Sequence, residues 1–167
     1  MRAHPIEQVL AALNTAGVRY LVVGGVAVVL HGHLRTTADL DLVVALDEGN
    51  ATGAIRALES LGFRPRAPVP AAQFADARAR AEWIEGKGLT VFSMWSERVA
   101  GLEVDLFVEE PFEFEQGYAR AVDVELDSTS AKVASLEDLL AMKRASGRPL
   151  DLADVEALEA IERKERR

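Results

Sequence analysis

Two aspartates stand one residue apart in "ADLDLVV", Asp39 and Asp41, and a third, Asp105, interrupts the apolar run "EVDLFV". Both stretches read as strands, so Asp39 and Asp41 leave the same face of a sheet. A lone Asp-x-Asp is also what strand ends and turns use for solvation and capping. The third acid sharpens the reading, because a carboxylate set inside an apolar strand is costly without a partner. Three acids on neighbouring strands repel one another unless a divalent cation sits among their oxygens. Mg²⁺ suits such a place, since it takes a few carboxylates, several waters and a substrate phosphate. In a two-metal site the ions bridge the attacking and leaving oxygens of an in-line phosphoryl displacement. Ahead of the pair, "YLVVGG" ends in Gly24 and Gly25. Without Cβ atoms their backbone N–H groups can approach phosphate oxygens closely, although a plain tight turn asks for the same residues.

The elements that must position these groups follow from the periodicity. Ile6, Val9, Leu10 and Leu13 mark the apolar stripe of a first helix that Gly17 stops. "VRYLVVG" reads as a buried strand with a turn, and "VAVVLHGH" as a short helix turning back, though its valines would also suit a strand. "DLDLVVAL" is a strand emerging from the core at its acidic end. Residues 48–61 carry Ile55, Leu58 and Leu61 at helical spacing, with Gly62 as the stop, and "FRPRAPVP" is a loop. "AAQFADARARAEWIEGKG" is a helix or a mobile connection. "LTVFSMW" and "LEVDLFV" form a hairpin about "SERVAG", and "RAVDVELDSTSAKVAS" is another strand and return. Ser135 and Asp138 open a helix as a capping-box-like pair, Gly147 ends it, and Asp151 with Asp154 repeats the N-terminal signature for a last helix.

Composition narrows the classes. A chain of 167 residues with 49% hydrophobic content fits one domain with a real core. No segment approaches eighteen uninterrupted apolar residues and the N-terminus is polar throughout, so neither a membrane span nor a secretory signal is expected and the cytoplasm is the simplest location. The absence of cysteine excludes disulfides and thiolate metal sites. A net charge of -8 argues against a broad nucleic-acid footprint. Arg64, Arg66, Arg78, Arg80 and the closing "RKERR" read as solvated side chains. His31 and His33 diverge on a helix and make a poor zinc pair, and Trp83 and Trp95 read as core. Lys143, on an amphipathic helix, is by itself an ordinary solvated lysine.

Strand, Gly-Gly, short helix, then Asp39 and Asp41 after thirteen intervening residues, and later an isolated strand Asp, together resemble the nucleotidyltransferases with the DNA polymerase β-like fold in their minimal form. The close "SLEDLLAMKRASGRPLDLADVEAL" is similar to a bacterial branch of that family containing toxin and phage-defence enzymes. The resemblance runs over roughly residues 5–160. It implies an α/β (α+β) fold, a small mixed sheet flanked by helices, in one domain over 1–167 with a core of about 5–134 and C-terminal helices of about 135–164.

The resemblance also implies a reaction: transfer of a nucleoside monophosphate from an NTP to a hydroxyl acceptor, with release of pyrophosphate. Asp39 and Asp41 would hold the triphosphate's Mg²⁺, with Mn²⁺ as the substitute, and Asp105 would share the metal at the acceptor and take its proton. Gly24 and Gly25 would cradle phosphates, and Lys143 would meet the triphosphate. Arg35 is placed to reach phosphate or acceptor, or else to pair with the two aspartates, and Thr37 can offer a hydroxyl to the same oxygens. A small molecule or protein is favoured as acceptor over an RNA end. A cognate antitoxin or toxin partner and a homodimer are compatible with the sequence. The competing reading is a catalytically weak nucleotide-fold protein acting as a binding partner or antitoxin-like subunit. The intact set of three acids speaks against it, since a binding module gains nothing from crowded carboxylates.

Overall fold

In the computed structural model, which describes residues 3–167, fifteen segments of regular structure are arranged around one seven-stranded mixed sheet. Helix α1 (Pro5–Thr15) begins with proline, whose fixed φ suits a first helical turn, and buries Val9, Leu10 and Leu13. Strand β1 (Tyr20–Val23) is wholly buried, as its unbroken apolar sequence implies. It runs straight into helix α2 (Gly24–Leu30), so the glycine pair opens the helix instead of forming a separate turn. Gly24 sits at φ +66°, a conformation that side chains with a Cβ rarely adopt. Strand β2 is Asp39–Val44 and helix α3 is Glu48–Ser60, the latter N-capped by Asp47 and stopped near Gly62.

Residues 64–70 are not loop throughout: Arg64–Pro65 is a two-residue edge strand, β3. Proline is tolerated there because an edge strand leaves one row of N–H groups unpaired in any case. The alanine-rich stretch is ordered, as a 3₁₀ turn (Ala71–Ala75) and helix α4 (Ala77–Lys87). Arg80 is not solvated. Its buried guanidinium donates to the carbonyls of Phe74, at 2.6 Å, and Leu46, at 3.3 Å. The expected hairpin is strands β4 (Val91–Trp95) and β5 (Glu103–Phe107). Helix α5 (Phe114–Arg120) was not expected, and it is followed by strands β6 (Val122–Glu125) and β7 (Ser130–Val133). Helices α6 (Leu136–Ser146) and α7 (Pro149–Glu165) close the chain.

The strands lie in the order β3-β4-β5-β2-β1-β7-β6. Alternation along β2, β4 and β5 sends Leu40, Leu42, Phe92, Met94, Val104 and Leu106 into the main core with Leu10, Leu58 and Phe74. Fully burying each such side chain contributes about 1.5–3 kcal/mol. On the other sheet face Leu21, Val23 and Val43 form a smaller core with Phe114 of α5. That helix therefore seals only the β1 end of the face, where Asp39, Asp41 and Asp105 also point outward from β2 and β5. Among the described residues no helix is long and apolar enough to cross a membrane.

Candidate active site

The register brings the acids together. β2 and β5 are parallel with Asp41 opposite Asp105 and Asp39 opposite Glu103, while antiparallel β4 sets Ser93 opposite Asp105. Antiparallel β1 places Val23 opposite Asp41, so the chain turns into α2 beside that carboxylate. Together with Gly24 and Lys143, the three acids line a cleft of about 670 Å³.

Crowding shows in their protonation. Burial, then the charges of Asp105 and Asp39 and a hydrogen bond with Asp105, push the Asp41 carboxyl up to about 7, with Lys143 opposing. Asp39 is also raised, by burial and by Asp105 and Glu103. Ser93 Oγ donates to Asp105 Oδ1 at 2.6 Å, orienting it toward its neighbours. Among the described residues no three His, Cys, Asp or Glu side chains are gathered into a group able to hold a metal ion. The donor set nevertheless fits a hard divalent cation in kind. Three carboxylates share one face, and such an ion would neutralise the like charges that, after burial, lift Asp41. Mg²⁺ draws much of its shell from water and phosphate, and does not need a cage closed in advance.

Each glycine of the pair is required by a contact. A Cβ on Gly24 would lie 2.0 Å from Asp41 Oδ2, and one on Gly25 would lie 2.6 Å from Thr37 Oγ1 and 2.9 Å from Arg35 Nη2. Gly24 thus meets the acids directly, whereas Gly25 packs on the segment leading to β2. Thr37 Oγ1 makes a long bond, 3.4 Å, to the Asp39 carbonyl, and neither Gly25, Arg35 nor Thr37 lines the cleft.

The cations are held elsewhere than expected. Arg35 does not pair with Asp39 or Asp41; its Nε lies 3.0 Å from Asp154 Oδ1 and its Nη2 donates to Oδ2 at 3.1 Å. Lys143 is buried, with Nζ 3.3 Å from Asp151 Oδ1 and 3.0 Å from Asp154 Oδ2. Arg148 Nε donates to Asp151 Oδ2 at 2.8 Å. Asp151 and Asp154 are therefore not helix caps: α7 starts at Pro149 without any capping side chain, and both acids turn inward. Burial disfavours the ionised form of Asp151, but hydrogen bonds from Arg148 and Ser146 and the Lys143 charge outweigh it, leaving the carboxyl down at about 2. The capping pair of α6 is half formed. Ser135 accepts from the Asp138 N–H, while the Asp138 carboxylate takes both Arg120 Nε, at 3.1 Å, and Nη2, at 2.9 Å.

Other sequence candidates resolve simply. His31 Nε2 lies 2.9 Å from the Ala134 carbonyl, and Trp83, half-buried, stacks on Phe92 at the edge of the core. Trp95 is only half-buried, and Arg64 and Arg66 lie over its ring. Sequence reasoning passed over Ser93 and Arg148. Ser93 carried a weak signal, as the one polar residue in "VFSMW".

A family model described as "Nucleotidyltransferase of unknown function (DUF6036)" matches residues 4–165. Among solved structures, the chain is similar to the lincosamide antibiotic adenylyltransferase LnuA in its lincomycin-bound form, at 16% identity and TM-score 0.63, over 96% of this chain and 98% of that one. It is also similar to ANT(2")-Ia in complex with adenylyl-2"-tobramycin, at 15% identity and TM-score 0.57, over 96% and 94% of the two chains. An antigenic nucleotidyltransferase-like protein from Paracoccidioides brasiliensis matches at 19% identity and TM-score 0.59, over 92% of this chain and 74% of that one. At these identities the likeness is one of fold. No curated protein sequence matches.

Proposed function

The chain belongs to the nucleotidyltransferase family whose model spans residues 4–165, and on that premise we propose that it moves a nucleoside monophosphate from an NTP to a hydroxyl group, with a small molecule or a protein as acceptor. The observation that carries the reading is the placement of Asp41 opposite Asp105 across parallel β2 and β5, with Asp39 on the same face and Gly24 against Asp41. Bound by Asp39, Asp41 and Asp105, Mg²⁺, or Mn²⁺ in its place, would neutralise phosphate charge and sharpen the acceptor oxygen. Asp105, aimed by Ser93, takes the acceptor's proton as that oxygen bonds to the α-phosphorus and the bond to pyrophosphate breaks. Gly24 leaves room for the phosphate tail beside Asp41, while Gly25, in the first turn of α2, lets Thr37 and Arg35 pack close behind it. Lys143 and Arg148 form the cationic side of the same cleft, where charge gathers on the leaving group.

A small acceptor is supported by the two antibiotic adenylyltransferases, which the chain matches over nearly their whole length. The net charge of -8 further disfavours an RNA end. A cognate antitoxin, as in the bacterial branch that the C-terminus resembles, is part of the proposal and is tested by co-purification with the product of the adjoining gene.

The test is incubation of the protein with each labelled NTP, Mg²⁺ and a panel of hydroxylated small molecules and proteins, following pyrophosphate. Release that depends on Mg²⁺ and disappears in the Asp39→Asn, Asp41→Asn variant is expected. A folded protein that binds no NTP and releases no pyrophosphate with any acceptor would overturn the reading in favour of a binding role.

A further inference from the structure

Beside the acidic row, five side chains alternate in charge: Arg148, Asp151, Lys143, Asp154 and Arg35. Asp151 bridges Arg148 and Lys143, and Asp154 bridges Lys143 and Arg35. Both acids come from one face of α7, and they are only 2% and 1% exposed. Lys143, Asp151 and Asp154 are buried while Arg148 is exposed; burying these three charges is costly, and a packed apolar interface between α6 and α7 would stabilise the fold as well or better. The arrangement is explained by what lies across the cleft.

Asp39, Asp41 and Asp105 form an anionic row with no cation bonded to it among the described residues. Lys143 and Arg148 line the same cleft, near enough for their charges to act on Asp41. A cation between two groups of anions pairs with the group that holds it closer and with better geometry. Lysine, a point charge on a flexible stem, turns readily to a new partner. With either α7 partner removed, Lys143 is held by one carboxylate instead of two, and Asp41 is the acid of the row on which its charge acts. An ion pair there would occupy the oxygens that the proposed function assigns to the metal.

We propose that Asp151 and Asp154 are positioning residues that hold Lys143 and Arg148, the two cations lining the cleft, away from Asp39, Asp41 and Asp105. One cleft thereby keeps an anionic row for a divalent cation next to a cationic wall for phosphates. The inference rests on the reading of the three acids as a metal site, and metal binding can be measured without turnover.

Mn²⁺ is titrated into the full chain without nucleotide, and free Mn²⁺ is read by electron paramagnetic resonance. Wild type binds, Asp154→Asn binds roughly tenfold or more weakly, and Asp154→Asn with Lys143→Met recovers most of the lost affinity. Thermal melts of the same variants separate this from a merely structural role, in which lost and regained affinity follow lost and regained folded protein, since Lys143→Met also relieves the under-paired buried ammonium that Asp154→Asn leaves. Should Asp154→Asn lose its folded state in circular dichroism, Asp151→Asn with and without Lys143→Met carries the same comparison. Equal binding by wild type and the single variant, or no recovery in the double, overturns the positioning role alone. Absence of Mn²⁺ binding in the wild type, or its persistence in Asp39→Asn, Asp41→Asn, overturns the metal site and the positioning role with it.

Discussion

Replacing Asp41 with asparagine removes a charge while keeping the shape that Gly24 accommodates, and it should stabilise the protein. The Asp41 carboxyl titrates near 7 in the fold against 3.8 when free, and each pH unit of that difference is worth about 1.4 kcal/mol. The cost to the folded state is absent below 3.8, grows as pH rises and is complete above 7. The full difference corresponds to about 4 kcal/mol, and sharing of the charge with Asp105 reduces it to about 2–4 kcal/mol. For a chain of this size that is a rise in Tm of about 5–15 °C at pH 8. Thermal melts of wild type and Asp41→Asn at pH 5 and pH 8, without divalent ions, measure it. The variant should gain most at pH 8 and clearly less at pH 5. Mg²⁺ should raise the wild-type Tm and leave the variant nearly unmoved, because a ligand stabilises only a state that binds it. A variant less stable than wild type at both pH values, or a gain that does not change with pH, refutes the claim that burial and repulsion set the Asp41 charge.

Three further substitutions probe the supports of the site. Gly24→Ala forces a Cβ to within 2.0 Å of Asp41 Oδ2 at a positive φ, and the strain and displacement together should cost about 2–5 kcal/mol in urea unfolding and abolish transfer. Ser93→Ala removes the donor to Asp105; kcat should fall about tenfold with a stability loss of about 1–3 kcal/mol, and Ser93→Thr should restore most of both. A Cβ at Gly117 would meet the Phe112 ring at 2.3 Å, so Gly117→Ala should turn that ring, which lines the cleft, and raise the KM for substrate. Its melting temperature should hardly move, since alanine is favoured over glycine in a helix by about 1 kcal/mol.

The acids were legible in the sequence because a carboxylate in an apolar strand has few benign explanations, and the glycine pair because its neighbours fixed it at the end of a strand. The match of Asp41 to Asp105 was not legible. It depends on β2 and β5 pairing in parallel after the chain has traversed α3, α4 and β4, a choice no local pattern records. Helix α5 escaped notice because "FEQGYAR" is too short for a clear apolar period; it forms by the Glu113 cap on the Gln116 N–H and by burial of Phe114. Asp151 and Asp154 looked like caps since acids are common in a first turn. Their real partners sit on another helix, so only the packing of α7 on α6 reveals them. Arg80 misled in the same way, its carbonyl acceptors lying outside α4.

The parallel pairing of β2 with β5 has a kinetic side. It joins positions more than sixty residues apart, and contacts so distant in sequence close late because the intervening chain must first be ordered. The strand pair expected to form late is also the one that brings Asp41 against Asp105. Ionised carboxylates make that step an uphill approach of like charges, whereas shared protons or a bound cation would ease it. The chain should therefore refold more slowly in alkaline, ion-free solution, and a divalent cation held by these acids, as proposed, would also act as a template during assembly; stopped-flow refolding with and without Mg²⁺ measures it.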